Sequence, residues 1–318
     1  MKNNIAIICS GGDVSGMNPA LKHFVEYSLK KDLNPYFVYD GYEGLIDNNI
    51  KKASYGDVSG IINRGGTKIR SSRSERFKDK KYRDIAKENL DKLNIDKLVV
   101  LGGDGSFRGL DIFYKETGIK FCGIPSTIDN DIVGTDYSLG VDTALNIIKN
   151  SIDAIRDTAS SFKRAFVIET MGRDCGYLAL ISGLTSGAEM CLIPEKDYAL
   201  KDYETKFKKD LANGRTYFIA IVSEGIKHDS KEIAEWFENI IGIEARVSVL
   251  GHTQRGGNPS SYDRLMAYKF VNYAIDGLES GIDSSIICYC KSKFCYKRID
   301  EVANIPHHLD SELLKYLD

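Results

Sequence analysis

Short apolar runs alternate with helix-period segments along nearly the whole chain, and no other feature limits its fold as much. Runs at 4–9, 35–39, 96–101, 119–124, 165–169, 190–193, 216–223, 244–250 and 285–289 are strand candidates. The stretches between them carry apolar stripes at helical spacing. One is Leu21, Phe24, Val25, Ser28 and Leu29; another is Tyr82, Ile85, Ala86, Leu90 and Leu93; the clearest is Val141, Ala144, Leu145, Ile148, Ile152 and Ile155. Strands that read as unbroken apolar runs are covered on both faces, so the alternation predicts a mainly parallel sheet between layers of helices. Asn18-Pro19 predicts a cap and a first-turn proline for the helix after the first strand. "KDYALKDYETKFKKD" (196–210) reads as a solvated polar helix whose charges need no partner.

At 318 residues the chain is long enough for two domains. No internal repeat or low-complexity linker marks a boundary, and the long helix near 139–157 is the expected crossover into a second α/β unit. A formal net charge of −2 exerts no general pull on nucleic acid or anionic membrane, so any anion site has to be local. No apolar stretch approaches the ~20 residues needed to span a bilayer. "MKNNIAIICSGGD" holds an apolar run too short for a signal peptide and no small-residue cleavage site, which makes the cytoplasm the expected location. Of the seven cysteines, Cys9, Cys122, Cys191 and Cys288 sit inside apolar runs as small hydrophobes. "CYCKSKFC" (288–295) lacks a second ligand pair at zinc-type spacing and is read as ordinary packing.

Two strand candidates end in paired glycines and an aspartate, "SGGDVSGMN" (10–18) and "GGDGSFRG" (102–109), each leading into a helix. Such a turn lets the backbone approach a ligand while the helix start offers unpaired N–H groups, together an anion cradle suited to phosphate. A single turn of this kind is more often only a tight turn; two at strand tips favour a phosphate ligand. Neither G-x-G-x-x-G nor G-x-x-x-x-G-K-[ST] is present, which excludes an ordinary Rossmann oxidoreductase and a P-loop enzyme. An aspartate inside a phosphate turn repels the phosphate unless a cation lies between them, so Asp104 implies Mg²⁺. "PSTIDNDIVGTD" (125–136) crowds Thr127, Asp129, Asp131 and Asp136 past another strand tip, more acids than a turn needs. One such group can hold metal while another serves as base. Arg70, Arg73 and Arg76 in the mobile-looking "GGTKIRSSRSERFKD" (65–79), Arg173 in "MGRDCG" (171–176), and His252 and Arg255 in "LGHTQRGGNP" (250–259) lie in glycine-flanked turns where guanidinium groups serve as phosphate forks.

In order and spacing, "SGGDVSGMN", "YDGYEGL", "INRGGT", "GGDGS", "TIDNDIVGTD", "DTASS" with Arg164, "ETMGRDCG", "SEG" and "VLGHTQRGG" followed by "YDR" resemble the bacterial-type ATP-dependent 6-phosphofructokinase family (phosphofructokinase A). The resemblance covers about residues 4–264. It implies two three-layer αβα domains with mainly parallel sheets and an active site in the cleft between them. Residues 1–140 with 253–305 would bind ATP and magnesium, and 141–252 with 306–318 the sugar phosphate. The implied reaction moves the γ-phosphoryl group of ATP to the 1-hydroxyl of fructose 6-phosphate. Gly12, Tyr42, Arg73, Ser74, Gly103, Asp104, Gly105, Ser106 and Gly109 would surround Mg-ATP, with Asp104 on the metal. Asp129 would be the base, Thr127 and Asp131 would position sugar and metal, and Arg173 would neutralise the moving phosphoryl group. Met171, Gly172 and Glu224 would contact the sugar. His252 and Arg255 would hold the 6-phosphate, joined by Arg164 and Arg246 from a neighbouring subunit of a homotetramer.

Two departures from the family pattern stand out. Ser126 precedes Thr127-Ile128-Asp129 where ATP users carry Gly and pyrophosphate users Lys, while Gly105 is kept as in ATP users. A pyrophosphate-dependent enzyme and a silent, ligand-sensing paralogue are the alternatives; the presence of Asp104, Asp129 and Arg173 argues against the latter. At the family's second site for ADP or phosphoenolpyruvate, Lys22, Arg156, Glu189 and Arg215 match in kind. Glu26, Tyr55 and Asn213 stand where basic residues are usual, Gly60 replaces an Asp and Tyr217 a His. Glu26 sets like charge against phosphate, so weak or absent regulation by those effectors is expected.

Overall fold

A computed structural model of the protein describes residues 3–302, 305 and 307–317; residues 1, 2, 303, 304, 306 and 318, which fall at the ends of the expected domain segments, lie outside the described residues. The chain divides into two compact units. One comprises Met1–Ile128, Ile132–Thr143 and Arg255–Pro306, and the other Asp129–Asp131, Ala144–Gln254 and His307–Asp318.

The larger unit begins with β1 (Asn4–Cys9), α1 (Met17–Lys30), β2 (Asn34–Val38), α2 (Gly41–Ile46), β3 (Ile50–Lys52), α3 (Lys80–Lys92), β4 (Ile95–Gly102), α4 (Asp104–Thr117) and β5 (Lys120–Pro125). α5 (Val141–Phe162) then carries the chain into the smaller unit, formed by β6 (Ala165–Thr170), α6 (Tyr177–Ser186), β7 (Met190–Leu192), α7 (Leu200–Ala212), β8 (Phe218–Ser223), α8 (Ser230–Trp236) and β9 (Ala245–Val249). The chain returns through α9 (Ser261–Glu279) to β10 (Ser284–Cys290) and β11 (Lys293–Arg298).

In the larger unit the sheet order is β11-β10-β5-β4-β1-β2-β3, parallel except for the two edge strands β3 and β11. Ala6, Ile8, Leu98 and Val100 turn one face toward Leu90, Phe107, Leu110 and Phe113 of α3 and α4. Ile5, Ile7 and Val99 point to the other face by strand alternation, where α1 and α9 pack. In the smaller unit β7-β8-β6-β9 is wholly parallel. Val167, Phe218 and Ala220 meet Phe207 of α7 and Phe237, so the helix read as polar hides one fully buried aromatic.

One expectation changes, two strands are added to those expected, and the cysteine-rich stretch is ordinary packing as read. The N-cap of α1 is Gly16, with no side-chain cap, because Asn18 lies inside the first turn. There its side chain donates to the carbonyls of Arg64 and Gly65 and accepts the Lys68 N–H, tying the following loop to the helix start. β3 and β11 had no apolar run to announce them. The cysteines of 288–295 lie on the β10–β11 hairpin, where Cys288 pairs with Cys295 in register and is buried.

Candidate active site

In the larger unit the chain leaves β1 toward β2 on one side and later reaches β4 on the other, so the topological switch lies between β1 and β4. Ligands of open α/β sheets bind outside the carboxyl ends of strands at such a point. Both glycine turns are there. The Ser10 N–H donates to the Leu101 carbonyl at 2.9 Å, and the Ser106 hydroxyl donates to Ser10 Oγ at 2.9 Å, so the two turns are joined side by side. Tyr42 is buried, stacked on Phe77 with centroids 4.1 Å apart, and its hydroxyl donates to the Ser106 carbonyl at 2.7 Å. An added Cβ at Gly109 would rest at van der Waals distance from that aromatic pair.

Asp104 opens α4 and pairs with Arg108 at 2.5 Å. An added Cβ at Gly103 would lie 3.8 Å from Thr127 Cβ, which brings the tips of neighbouring β4 and β5 together. The Ser126 hydroxyl does not present itself to ligand: it is buried and donates to the Ile124 carbonyl at 3.0 Å. The 65–79 loop runs beside the first turn, with the Ser71 hydroxyl donating to the Gly11 carbonyl at 3.0 Å. Within it Arg73 is exposed, and Ser74 Oγ accepts the Phe77 N–H at 3.0 Å. Arg70 pairs with Asp40, and Arg76 with Glu43 and Asp47, fastening the loop. Arg255 lies over the first turn, so close that a Cβ at Gly12 would come within 3.0 Å of its guanidinium. The Ser15 hydroxyl reaches the Gly256 carbonyl at 2.7 Å and the Gly257 carbonyl at 3.0 Å, anchoring that segment.

In the smaller unit the tips of adjacent β8, β6 and β9 supply Glu224, the 171–173 turn and the 250–254 turn. Glu224 Oε1 accepts the Gly172 N–H at 3.2 Å and the Arg173 N–H at 2.9 Å. Gln254, buried, accepts the Met171 N–H at 3.2 Å and donates to the Gly251 carbonyl at 2.9 Å. His252, two residues earlier, is exposed. The buried Asp129 carboxylate lies 3.8 Å from Arg173 Nε, too far for a hydrogen bond but within ion-pair range. Asp131 is half-buried. Arg164 and Arg246 both pair with Glu244. The second-site residues are engaged within the chain: Lys22 with Glu26, Arg156 with the Ser186 carbonyl at 2.5 Å, and Arg215 with Glu189.

Sequence reasoning passed over Gln254 and Asp263. Asp263 is fully buried and accepts the Gly140 N–H at 2.6 Å, the Thr143 N–H at 2.8 Å and the Tyr137 hydroxyl, holding down the segment between the acidic stretch and α5. Their only signal was a place inside quoted motifs, HTQRGG and YDR.

Paired glycine turns at a sheet switch point, with carboxylates and arginines at strand tips, define an α/β protein built to handle phosphate groups. A sequence model of phosphofructokinase matches residues 4–278. The chain is 72% identical over 314 residues to an ATP-dependent 6-phosphofructokinase of Sulfurimonas denitrificans, covering 99% of this chain and 98% of that one. It is 62% identical over 312 residues to an ATP-dependent 6-phosphofructokinase of a Sulfurovum species, covering 98% and 95%. Among solved structures, phosphofructokinase from Saccharomyces cerevisiae matches with a TM-score of 0.88 at 31% identity over 94% of this chain, which spans 44% of the yeast chain. The protein belongs to the phosphofructokinase family.

Proposed function

We propose that this chain transfers the γ-phosphoryl group of ATP to the 1-hydroxyl of fructose 6-phosphate, giving fructose 1,6-bisphosphate and ADP, a step of glycolysis. The relatives at 72% and 62% identity over nearly the whole chain support the reaction. The observation that carries the mechanism is the buried Asp129 carboxylate beside the Arg173 guanidinium. Asp129 takes the proton of the 1-hydroxyl as its oxygen bonds to phosphorus and the bond from phosphorus to the leaving ADP oxygen breaks. Arg173 donates to the oxygens of the moving group, and Thr127 and Asp131 orient the acceptor and the metal.

The segment 1–140 with 253–305 serves ATP, and 141–252 with 306–318 the sugar phosphate. Gly12, Tyr42, Arg73, Ser74, Gly103, Ser106 and Gly109 surround the nucleotide. An added Cβ at Gly105 would meet nothing within 4 Å, which favours a nucleotide over pyrophosphate by leaving room for its α-phosphate. Asp104 suits Mg²⁺: it is a partly exposed oxygen donor, and among the described residues no group of three or more metal-ligating side chains forms a cage. An ion usually held by one or two carboxylates plus substrate phosphates fits that description, and when bound it neutralises phosphate charge. Met171, Gly172, Glu224, His252 and Arg255 bind the sugar phosphate. Arg164 and Arg246 complete the 6-phosphate site of a neighbouring subunit in a homotetramer. The proposed setting is the cytoplasm, without membrane or nucleic-acid partners. No helix among the described residues is long and apolar enough to cross a membrane. Asp129→Ser tests the mechanism: kcat should fall by about 10²–10⁴ while sugar-phosphate binding stays. An unchanged kcat would mean that another group is the base.

A further inference from the structure

Arg173 sits in an unusual place for a side chain asked to be rigid. Its φ is +53°, in the left-handed region that L residues avoid, and its side chain is largely exposed. Gly172 before it has φ +146°. With these two residues the successive N–H groups converge on one point, the arrangement of a backbone nest that favours an anion. That point is occupied by Glu224 Oε1, which accepts both N–H groups at 3.2 and 2.9 Å. Glu224 Oε2 has no hydrogen bond among the described residues.

The neighbouring residue completes the clasp. A Cβ at Gly225 would lie closer than 3.0 Å to the Arg173 carbonyl oxygen, so only glycine there lets the β8 tip close on the turn. Glu224 itself is set by the β6–β8 pairing, its N–H donating to the Thr170 carbonyl at 2.9 Å. The nest around Arg173 is thus filled by a residue held on the next strand of the sheet.

We propose that Glu224 is a positioning residue: it fixes the left-handed turn that aims the Arg173 guanidinium, leaving its second oxygen for ligand. This rests on the role assigned to Arg173 above. A backbone turn left without its anion lets the guanidinium wander by an ångström or more, and misplacement of that size costs about 10²-fold in rate. Glu224→Ala should lower kcat by about that factor with the ATP dependence unchanged. Glu224→Gln, whose amide oxygen accepts both N–H groups, should recover most of the lost kcat. In the Arg173→Ala background, Glu224→Ala should slow turnover no further.

Hydrogen exchange of the peptide holding the Gly172 and Arg173 amides gives a readout independent of turnover: slow in the wild type and Glu224→Gln, fast in Glu224→Ala. Should Glu224→Ala not fold, Glu224→Asp, one methylene short of the turn, replaces it with the same expectations. Exchange that stays slow, or a variant that raises only the fructose 6-phosphate KM and whose effect multiplies with Arg173→Ala, overturns the proposal. A wild type without kinase activity that still shows the exchange pattern would sink the functional reading and leave the clasp standing.

Discussion

Replacing Gly12 by alanine should weaken the sugar phosphate although Gly12 belongs to the first glycine turn. The new Cβ would come within 3.0 Å of the Arg255 guanidinium. To reach an ordinary contact distance the guanidinium has to withdraw by about 1 Å. A charge-assisted hydrogen bond to phosphate is worth about 1.5–3 kcal/mol, so kcat/KM for fructose 6-phosphate should fall by about 10- to 150-fold. Folding should hardly suffer, because the displaced atoms end a long, half-buried side chain, whose rearrangement costs less than about 1 kcal/mol, or about 2–4 °C in Tm. Steady-state rates with each substrate varied in turn, with a melting curve, measure both. Arg255→Ala should reproduce the defect, and the double variant should be no worse than Arg255→Ala alone. A Gly12→Ala enzyme impaired only toward ATP, or one whose melting temperature collapses, would refute the reasoning.

Two further outcomes follow from other parts of the molecule. His23 of α1 is buried against Tyr268, with Nε2 2.7 Å from Asn272 Oδ1, and burial lowers its pKa below the ordinary 6.5. The unfolded chain binds that proton more readily, so this contribution to stability is complete above pH 6.5 and is lost as pH falls through it; melting curves between pH 8 and 5 should be flatter for His23→Gln, and equal slopes would count against it. Because the Glu26 carboxylate, paired with Lys22, sets like charge against an effector phosphate, phosphoenolpyruvate and ADP should shift half-saturation by fructose 6-phosphate less than about twofold. A large shift by either effector would reject that expectation.

The strands that position the candidate site were legible because they are largely buried: β1, β4, β5, β6 and β8 each hold a continuous apolar stretch, such as LVVL in β4 and AFVI in β6. β3, reading IKK, and β11, reading KFCYKR, were hidden because edge strands carry charge where one side lacks a neighbour. Glycine turns singled out the candidate site, since glycine is the residue that lets a backbone come closest to a neighbouring group. What the local pattern withheld were pairings between distant segments. Arg76 is claimed by Glu43 and Asp47 from another helix, and Asn18 is drawn from capping by the 64–68 backbone. Glu224 reads in sequence as a ligand residue; its bonds to the 172–173 backbone exist only once β6 and β8 lie side by side.

Supplying one phosphoryl donor at a time to the purified protein with fructose 6-phosphate, and following the phosphorus resonances of product and spent donor, addresses the reaction itself. Fructose 1,6-bisphosphate and ADP should accumulate with ATP and Mg²⁺ and stop on chelation with EDTA. Bisphosphate formed from pyrophosphate but not from ATP, or no bisphosphate with either donor, would contradict the assignment.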